Sequence, residues 1–272
     1  MAQAKTRAQP ATRLHVDDTL EEGRTLGLDR DRAHFLRSVL RLGPGARLAV
    51  FNARDGEWQA EIEGLGKGWC SLKVGVQRRK PVPEPDLWLV FAPIKRARID
   101  FIAEKATELG VAVLQPVMTR FTAVSRVNEE RLAANAREAA EQCERLSIPE
   151  VRATRSLGEV LDQWPRGRRL LVCAEWGAAQ PIAEALQAVR AGRDGPGTFA
   201  ADPWAILTGP EGGFAESELD ALRKLPFAVP VGLGPRILRA DTAALAALAC
   251  WQAVLGDGAE RPPAELAGFP TG

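Results

Sequence analysis

The chain has 272 residues, of which 46% are hydrophobic and 26% charged, with a formal net charge of +1. That length suits one large domain or two modest ones, and the composition excludes a disordered, collagen-like or disulfide-stapled chain. Near-neutral charge argues against a protein that coats nucleic acid over its whole surface, while four scattered cysteines and two histidines give a zinc site or metal catalysis little to build on.

Residues 1–12 are polar and basic without an apolar core segment, and read as a loose tail. Residues 13–80 read as a small, mostly β domain. Arg13 to Val16 is a first strand, and Asp29 to Leu40 a short helix with Phe35, Leu36, Val39 and Leu40 on its apolar face. Ala46 to Phe51 is a strand, and Asp55-Gly56 marks a hairpin into Glu57 to Ile62. Cys70, Leu72, Val74 and Val76 repeat the period of two, so the segment suggests a small barrel. Residues 1–85 carry 15 Lys and Arg against 11 Asp and Glu, whereas the remainder is acidic. A basic small domain beside a neutral one suits RNA docking.

Residues 81–86 hold three prolines and read as a linker. From residue 87 to the end the pattern alternates strand and helix. Leu87 to Phe91 is a strand, Arg98 to Leu109 a helix, and Val111 to Leu114 a strand. Asn128 is placed to cap a long helix to Leu146, and Ser156 with Glu159 forms a capping box. Leu170 to Ala174 is a strand, Pro181 opens a helix that Gly192 closes, and Gly192 to Pro203 reads as a flexible loop. The alternation predicts an α/β fold whose parallel sheet is covered by helices on both faces.

Two glycine loops follow. Trp204 to Leu207 is a buried strand ending in Thr208-Gly209-Pro210-Glu211-Gly212-Gly213-Phe214, and Glu216 to Leu225 is a helix. The second loop, Val231-Gly232-Leu233-Gly234-Pro235-Arg236-Ile237-Leu238-Arg239, precedes a strongly apolar helix from Thr242 to Leu255. Glycine lets backbone approach a ligand closely, although either loop alone is as readily a simple turn. The G-x-G-x-x-G fingerprint of the commoner nucleotide sites is absent.

Both loops, GPEGGF and LGPRILRADTA, resemble those of the RsmE family of 16S ribosomal RNA uridine methyltransferases, of the SPOUT class. The resemblance spans about Arg13 to Gly256. It implies a PUA-like β-barrel over residues 13–80 and a trefoil-knotted parallel sheet over residues 87–272. It implies S-adenosylmethionine as cofactor, held by Leu207, Thr208, Gly209, Pro210, Gly212, Gly213, Val231, Gly232, Leu233, Gly234, Ile237 and Leu238. The implied acceptor is N3 of a uridine in 16S rRNA, within the small ribosomal subunit, and the implied working unit is a homodimer. Apart from the resemblance, four scattered cysteines without a C-x-x-C pair fit a reducing cytoplasm, and Ala243 to Leu255, the most apolar run, is too short to span a membrane.

On that reading Arg239 stabilises negative charge on the uracil, or else forms a salt bridge with Asp241 or another acid. Asp241 caps the last helix or acts as a base; the family commonly has Glu there. Glu141-Gln142-Cys143-Glu144-Arg145 resembles the family's Glu-Gln-(Ser/Cys)-x-Arg segment, making Gln142 a candidate for base recognition and Arg145 for a phosphate or carbonyl contact, or else both tie down the end of their helix. His34 to Gly43 resembles a segment of the PUA-like domain, in which Arg37 and Arg41 lie four apart; with Arg13 they are candidate RNA contacts. Ala215 stands where the family often has a Ser or Thr cap. Other uses of the same loops are a SPOUT reaction on a ribose 2′-hydroxyl or tRNA, and a non-catalytic RNA-binding protein would need only the first domain.

Overall fold

The computed structural model describes residues 10–174, 179–192 and 202–260. These divide into a first unit, residues 10–82 with Glu144–Ser147, and a second, Pro83–Cys143 with Ile148–Glu260. Residues 1–9 of the expected tail and most of the expected loop between Gly192 and Pro203 lie outside the described residues.

In the first unit, period-two burial builds the sheet. Strands β1 (Arg13–His15), β2 (Thr25–Leu28), β3 (Arg47–Asn52), β4 (Gly56–Gly66) and β5 (Trp69–Arg79) lie in the order β1-β3-β4-β5-β2. β1 runs parallel to β3, and the other pairs are antiparallel. Leu14, Leu26, Leu48, Val50, Ala60, Ile62, Leu72 and Val74 turn inward to one core. Irregularities at Trp58 and between Ile62 and Gly64 bend β4, as bulges do. Strand β2 is missing from the sequence reading, because Thr-Leu-Gly-Leu is too short to show a period.

The helix expected over Asp29 to Leu40 is shorter. Asp29 caps α1 (Arg30–His34), accepting the Arg32 N–H at 2.8 Å. The chain then widens into a π-helical turn over Phe35–Val39, where the Leu40 N–H reaches the Phe35 carbonyl. Widening keeps Leu36 buried and sets Leu40 and Leu42 against the core. Arg41 falls beyond the turn at φ 55°.

The second unit contains β6 (Leu87–Phe91), α2 (Arg96–Glu108), β7 (Val113–Met118), α3 (Glu129–Gln142), β8 (Glu150–Val151), β9 (Arg155–Ser156) and α4 (Leu157–Asp162). It continues with β10 (Arg169–Cys173), β11 (Gln180–Pro181), α5 (Ile182–Ala191), β12 (Trp204–Thr208), α6 (Glu216–Arg223), β13 (Ala228–Gly232) and α7 (Ala240–Val254). Every strand pair is parallel, in the order β11-β13-β10-β12-β6-β7-β8, with β9 also on β7.

Unbroken apolar runs follow from burial on both sides. Leu87, Leu89 and Phe91 of β6, with Trp204 and Ile206 of β12, pack into one core shared with α2, α3, α5 and α7. Trp88, Val90, Ala205 and Leu207 pack into the opposite core with α4 and Leu222 of α6. Two-sided cover is what a parallel sheet requires.

The expected caps at Asn128 and Ser156 form, and Ser156 with Glu159 closes the capping box. Helix α3 ends at Gln142, not Leu146. Its last bond is from the Cys143 N–H to Ala139, and Glu144 then takes φ 62°. Helix α7 starts at Ala240, two residues before the expected Thr242.

Candidate active site

Strand β10 lies between β12 and β13, and Cys173 at its end is level with both Thr208 and Val231. Three parallel strands therefore end together, and the loops that leave β12 and β13 converge above them. The carboxyl ends of such strands are where open α/β sheets hold ligands. A cavity of about 470 Å³ sits there, lined by Gly209, Pro210, Glu211, Gly213, Phe214, Leu219, Val231, Leu233, Ile237, Leu238 and Arg239, with Cys173 and Ala174 from β10 and Ala240 and Ala243 from α7.

The loop after β12 is shaped by its glycines. Gly213 adopts φ 72°, which a branched residue resists, and its N–H donates to the Pro210 carbonyl at 2.9 Å. A Cβ at Gly209 would lie 2.9 Å from the Phe214 ring, which folds over that backbone. Ala215 then stands at the cap of α6. It has no hydroxyl to offer, but the Glu218 carboxylate accepts its N–H at 2.8 Å and that of Arg120 at 2.9 Å.

The loop after β13 is open. Among the described residues, no hydrogen bond reaches a backbone group between Leu233 and Leu238. Backbone groups left without partners must find water or a ligand. Ile237 lines the cavity yet is 91% exposed, so it stands at the mouth.

Charge is sparse. Arg239 occupies the cap position of α7, and among the described residues it forms no ion pair. It thus adds a cation to the positive end of a helix. The expected alternative, a bridge to Asp241, does not form. Asp241 instead accepts the Thr242 N–H at 2.9 Å and faces the Arg98 Nε at 3.8 Å. Asp241 is inside the first turn, not at the cap, because the helix begins before it. Burial, with Cys250 adding to it, pushes the Cys173 thiol up to about 12, so this wall of the cavity is neutral. Among the described residues no group of three potential ligands gathers for a metal.

Of the twelve residues expected to hold a cofactor, seven line this cavity and five do not. Leu207 points into the core under the sheet, and Thr208 is buried at the strand end. Gly212 faces Phe121, whose Cβ would be 3.0 Å from a Cβ added there. Gly232 lies beside β11, and Gly234 bends at φ 104° without lining the cavity. Period-two alternation turns Leu207 away from the cavity. Cys173, Ala174, Glu211, Phe214, Leu219, Ala240 and Ala243 were missed. The β10 pair carries no glycine signal, and only the strand order brings it between the two loops.

Of the expected RNA contacts in the first unit, Arg13 and Arg145 touch, through the Arg145 carbonyl at 3.2 Å. Arg13 is buried, with its Nε 2.7 Å from Glu57 and its guanidinium 4.2 Å above the Phe51 ring, so it is a structural ion pair. Arg37 and Arg41 are exposed, but the π-helical turn and the left-handed Arg41 remove the shared helical face. Gln142 is exposed at the end of α3 in the second unit. Arg145 belongs to the first unit, where its Nε donates to Ser147 at 3.0 Å and its carbonyl accepts from Arg13.

The comparisons match this architecture. Residues 81–252 match the RNA methyltransferase domain family, and residues 28–74 the RNA methyltransferase PUA domain. The chain is 32% identical over 238 residues to ribosomal RNA small subunit methyltransferase E of Rickettsia conorii, covering 87% of this chain and 93% of that protein. It is 27% identical to the Bacillus subtilis protein of the same name, covering 84% and 90%. The crystal structure of ribosomal RNA small subunit methyltransferase E from Neisseria gonorrhoeae bound to S-adenosylmethionine superposes with a TM-score of 0.76 at 25% identity, over 91% of this chain and 99% of that one. With a PUA-like unit, a parallel α/β sheet and both glycine loops in place, the chain belongs to the RNA methyltransferase family of ribosomal RNA small subunit methyltransferase E.

Proposed function

We propose that the protein transfers a methyl group from S-adenosylmethionine to 16S rRNA, at N3 of a uridine. The observation that carries this reading is the cavity itself, where two glycine loops and Arg239 meet over the level ends of β10, β12 and β13. Its volume of about 470 Å³ falls in the range of small-molecule sites. Phe214, Leu219, Val231 and Leu233 offer an apolar bed for adenine, and the open backbone of Leu233 to Leu238 offers donors and acceptors for polar edges. Glu211 puts a carboxylate in the cavity wall, which would suit a cofactor that carries a cation. These residues fit S-adenosylmethionine.

When bound, the cofactor supplies an electrophilic methyl group on a sulfonium. The protein's share is then to orient the acceptor and stabilise the charge it develops. Uridine N3 bears a proton, and its neutral imide is a poor nucleophile. As that proton passes to solvent water, negative charge spreads onto the uracil carbonyl oxygens. Arg239 and the positive end of α7 lower the cost of that charge. Asp241 is not assigned as the base, because Arg98 and the Thr242 N–H already engage its carboxylate.

The same reading includes a chain crossing and an assembly. After β12 and α6 the chain crosses β10 and adds β13 on its far side, which supports a knotted path through the preceding loop. Ile237 exposed at the mouth, with the apolar Ala249 exposed on the predominantly apolar α7, supports a homodimer formed near the site. The working place is the cytoplasm, where small subunits are assembled. The test of atom specificity is mass spectrometry of nucleosides from treated 16S rRNA: 3-methyluridine is expected, and a ribose-methylated nucleoside alone would overturn the N3 assignment.

A further inference from the structure

Trp69 opens β5 in the first unit and is 54% exposed. Cys70, Leu72 and Val74 of that strand turn into the core, so Trp69, Ser71 and Lys73 turn outward. Their cross-strand neighbours on that outer face are small. Gly66 pairs with Trp69, Gly64 with Ser71, and Gly27 of β2 also with Ser71.

The glycines explain how the indole is held. A Cβ at Gly66 would strike the indole Nε1, and one at Gly64 would lie 2.8 Å from the far edge of the ring. The ring therefore lies across two bare stretches of backbone, with one face covered and the other open. A loose surface tryptophan needs no explanation, but this one has a floor that only glycine permits.

Basic residues adjoin the turn that carries the ring. The Arg30 stem passes 3.6 Å, at Cγ, from a Cβ placed on Gly68, next to Trp69, and Lys67 precedes that glycine. Lys73 shares the outer face. Among the described residues none of the three forms an ion pair. Nearby acids are engaged: Glu61 lies 3.4 Å from Arg47, and Glu63 accepts from the Thr25 hydroxyl at 3.4 Å. A fixed, flat aromatic face beside free cations matches an unpaired base and its phosphates.

We propose that Trp69 is a stacking platform for an unpaired base of the RNA substrate, with Arg30, Lys67 and Lys73 meeting the adjoining phosphates. This rests on the reading of the protein as an rRNA methyltransferase. The test uses the full-length protein, with filter binding to unmodified small-subunit rRNA at fixed salt and methyl-transfer kinetics on small subunits. Trp69→Ala should weaken RNA binding about tenfold and raise KM for RNA in step, with kcat unchanged, while Trp69→Phe keeps most of the affinity. A Trp69→Ala protein with an unchanged thermal midpoint and wild-type RNA affinity would overturn the platform. Should that variant fail to fold, photo-cross-linking of the wild-type protein to 5-iodouridine-substituted rRNA decides. An adduct on Trp69 supports the proposal, and adducts only elsewhere refute it. A wild-type protein whose RNA binding depends on Trp69 but which transfers no methyl group would sink the enzymatic reading and leave the platform standing.

Discussion

Gly213 and Arg239 carry the account at the scale of single residues. Gly213 holds φ 72° in the loop after β12, and a branched side chain there strains the backbone at the cavity wall. Gly213→Val should weaken S-adenosylmethionine binding at least tenfold by calorimetry while the protein stays folded. Gly212 is the poorer target although it sits in the same motif, because its open side faces Phe121. Arg239→Ala should lower kcat about 10²-fold or more, the usual cost of losing a donor that meets developing charge, with cofactor affinity nearly unchanged. Equal losses in both would place Arg239 in cofactor binding instead. A titration checks the first unit. Hydrogen bonds from Arg54, the Leu20 N–H and Asn52 hold the Asp55 carboxyl down at about 2. A depressed folded value contributes stability that is present above pH 4 and lost as pH falls through 2. Wild-type protein should therefore lose more of its thermal midpoint between pH 5 and pH 2 than Asp55→Asn, and parallel curves would refute that role.

Among the elements, helices α6 and α7 show which parts of the fold could be read from sequence. Ala215 at the cap of α6 gives the N-terminal amides no side-chain acceptor, and only Glu218 reaches back. Ala215→Ser should stabilise the unit by about 1 kcal/mol, a rise of about 2–4 °C in midpoint at this size, read by calorimetric melting. Gln252 on α7 is buried, and it donates to the Leu109 carbonyl at 2.7 Å while accepting the Asp257 N–H at 3.0 Å. Gln252→Leu leaves both partners unpaired and should cost about 1–3 kcal/mol. The capping signals at Asn128 and Ser156, the apolar runs of β6 and β12, and both glycine loops were legible because each is a local pattern. The π-helical turn at Phe35 to Val39 was not, since a helix-like period cannot show a widened turn. Nor was the place of Cys173 and Ala174 in the cavity, because strand order is a property of the whole sheet. Arg13 misled for a similar reason: its partner Glu57 is distant in sequence and adjacent only across the fold.

At the scale of the whole molecule, the division of labour follows from the chemistry of the two units. The first offers exposed cations and an open indole, and the second a largely apolar cavity bounded by unpaired backbone groups, Glu211 and Arg239. A homodimer near the site predicts about twice the monomer mass of 29.4 kDa in sedimentation equilibrium at micromolar concentration, and a fully active monomer would refute it. Methylation of small-subunit rRNA in this cavity is the proposed activity. The most direct measurement is transfer of label from methyl-labelled S-adenosylmethionine to purified small subunits lacking the modification, with large-subunit RNA and tRNA alongside. The account predicts label in 16S rRNA, abolished by Gly213→Val and sharply slowed by Arg239→Ala. Label appearing only in tRNA or large-subunit RNA, or equal in both variants and wild type, would contradict it.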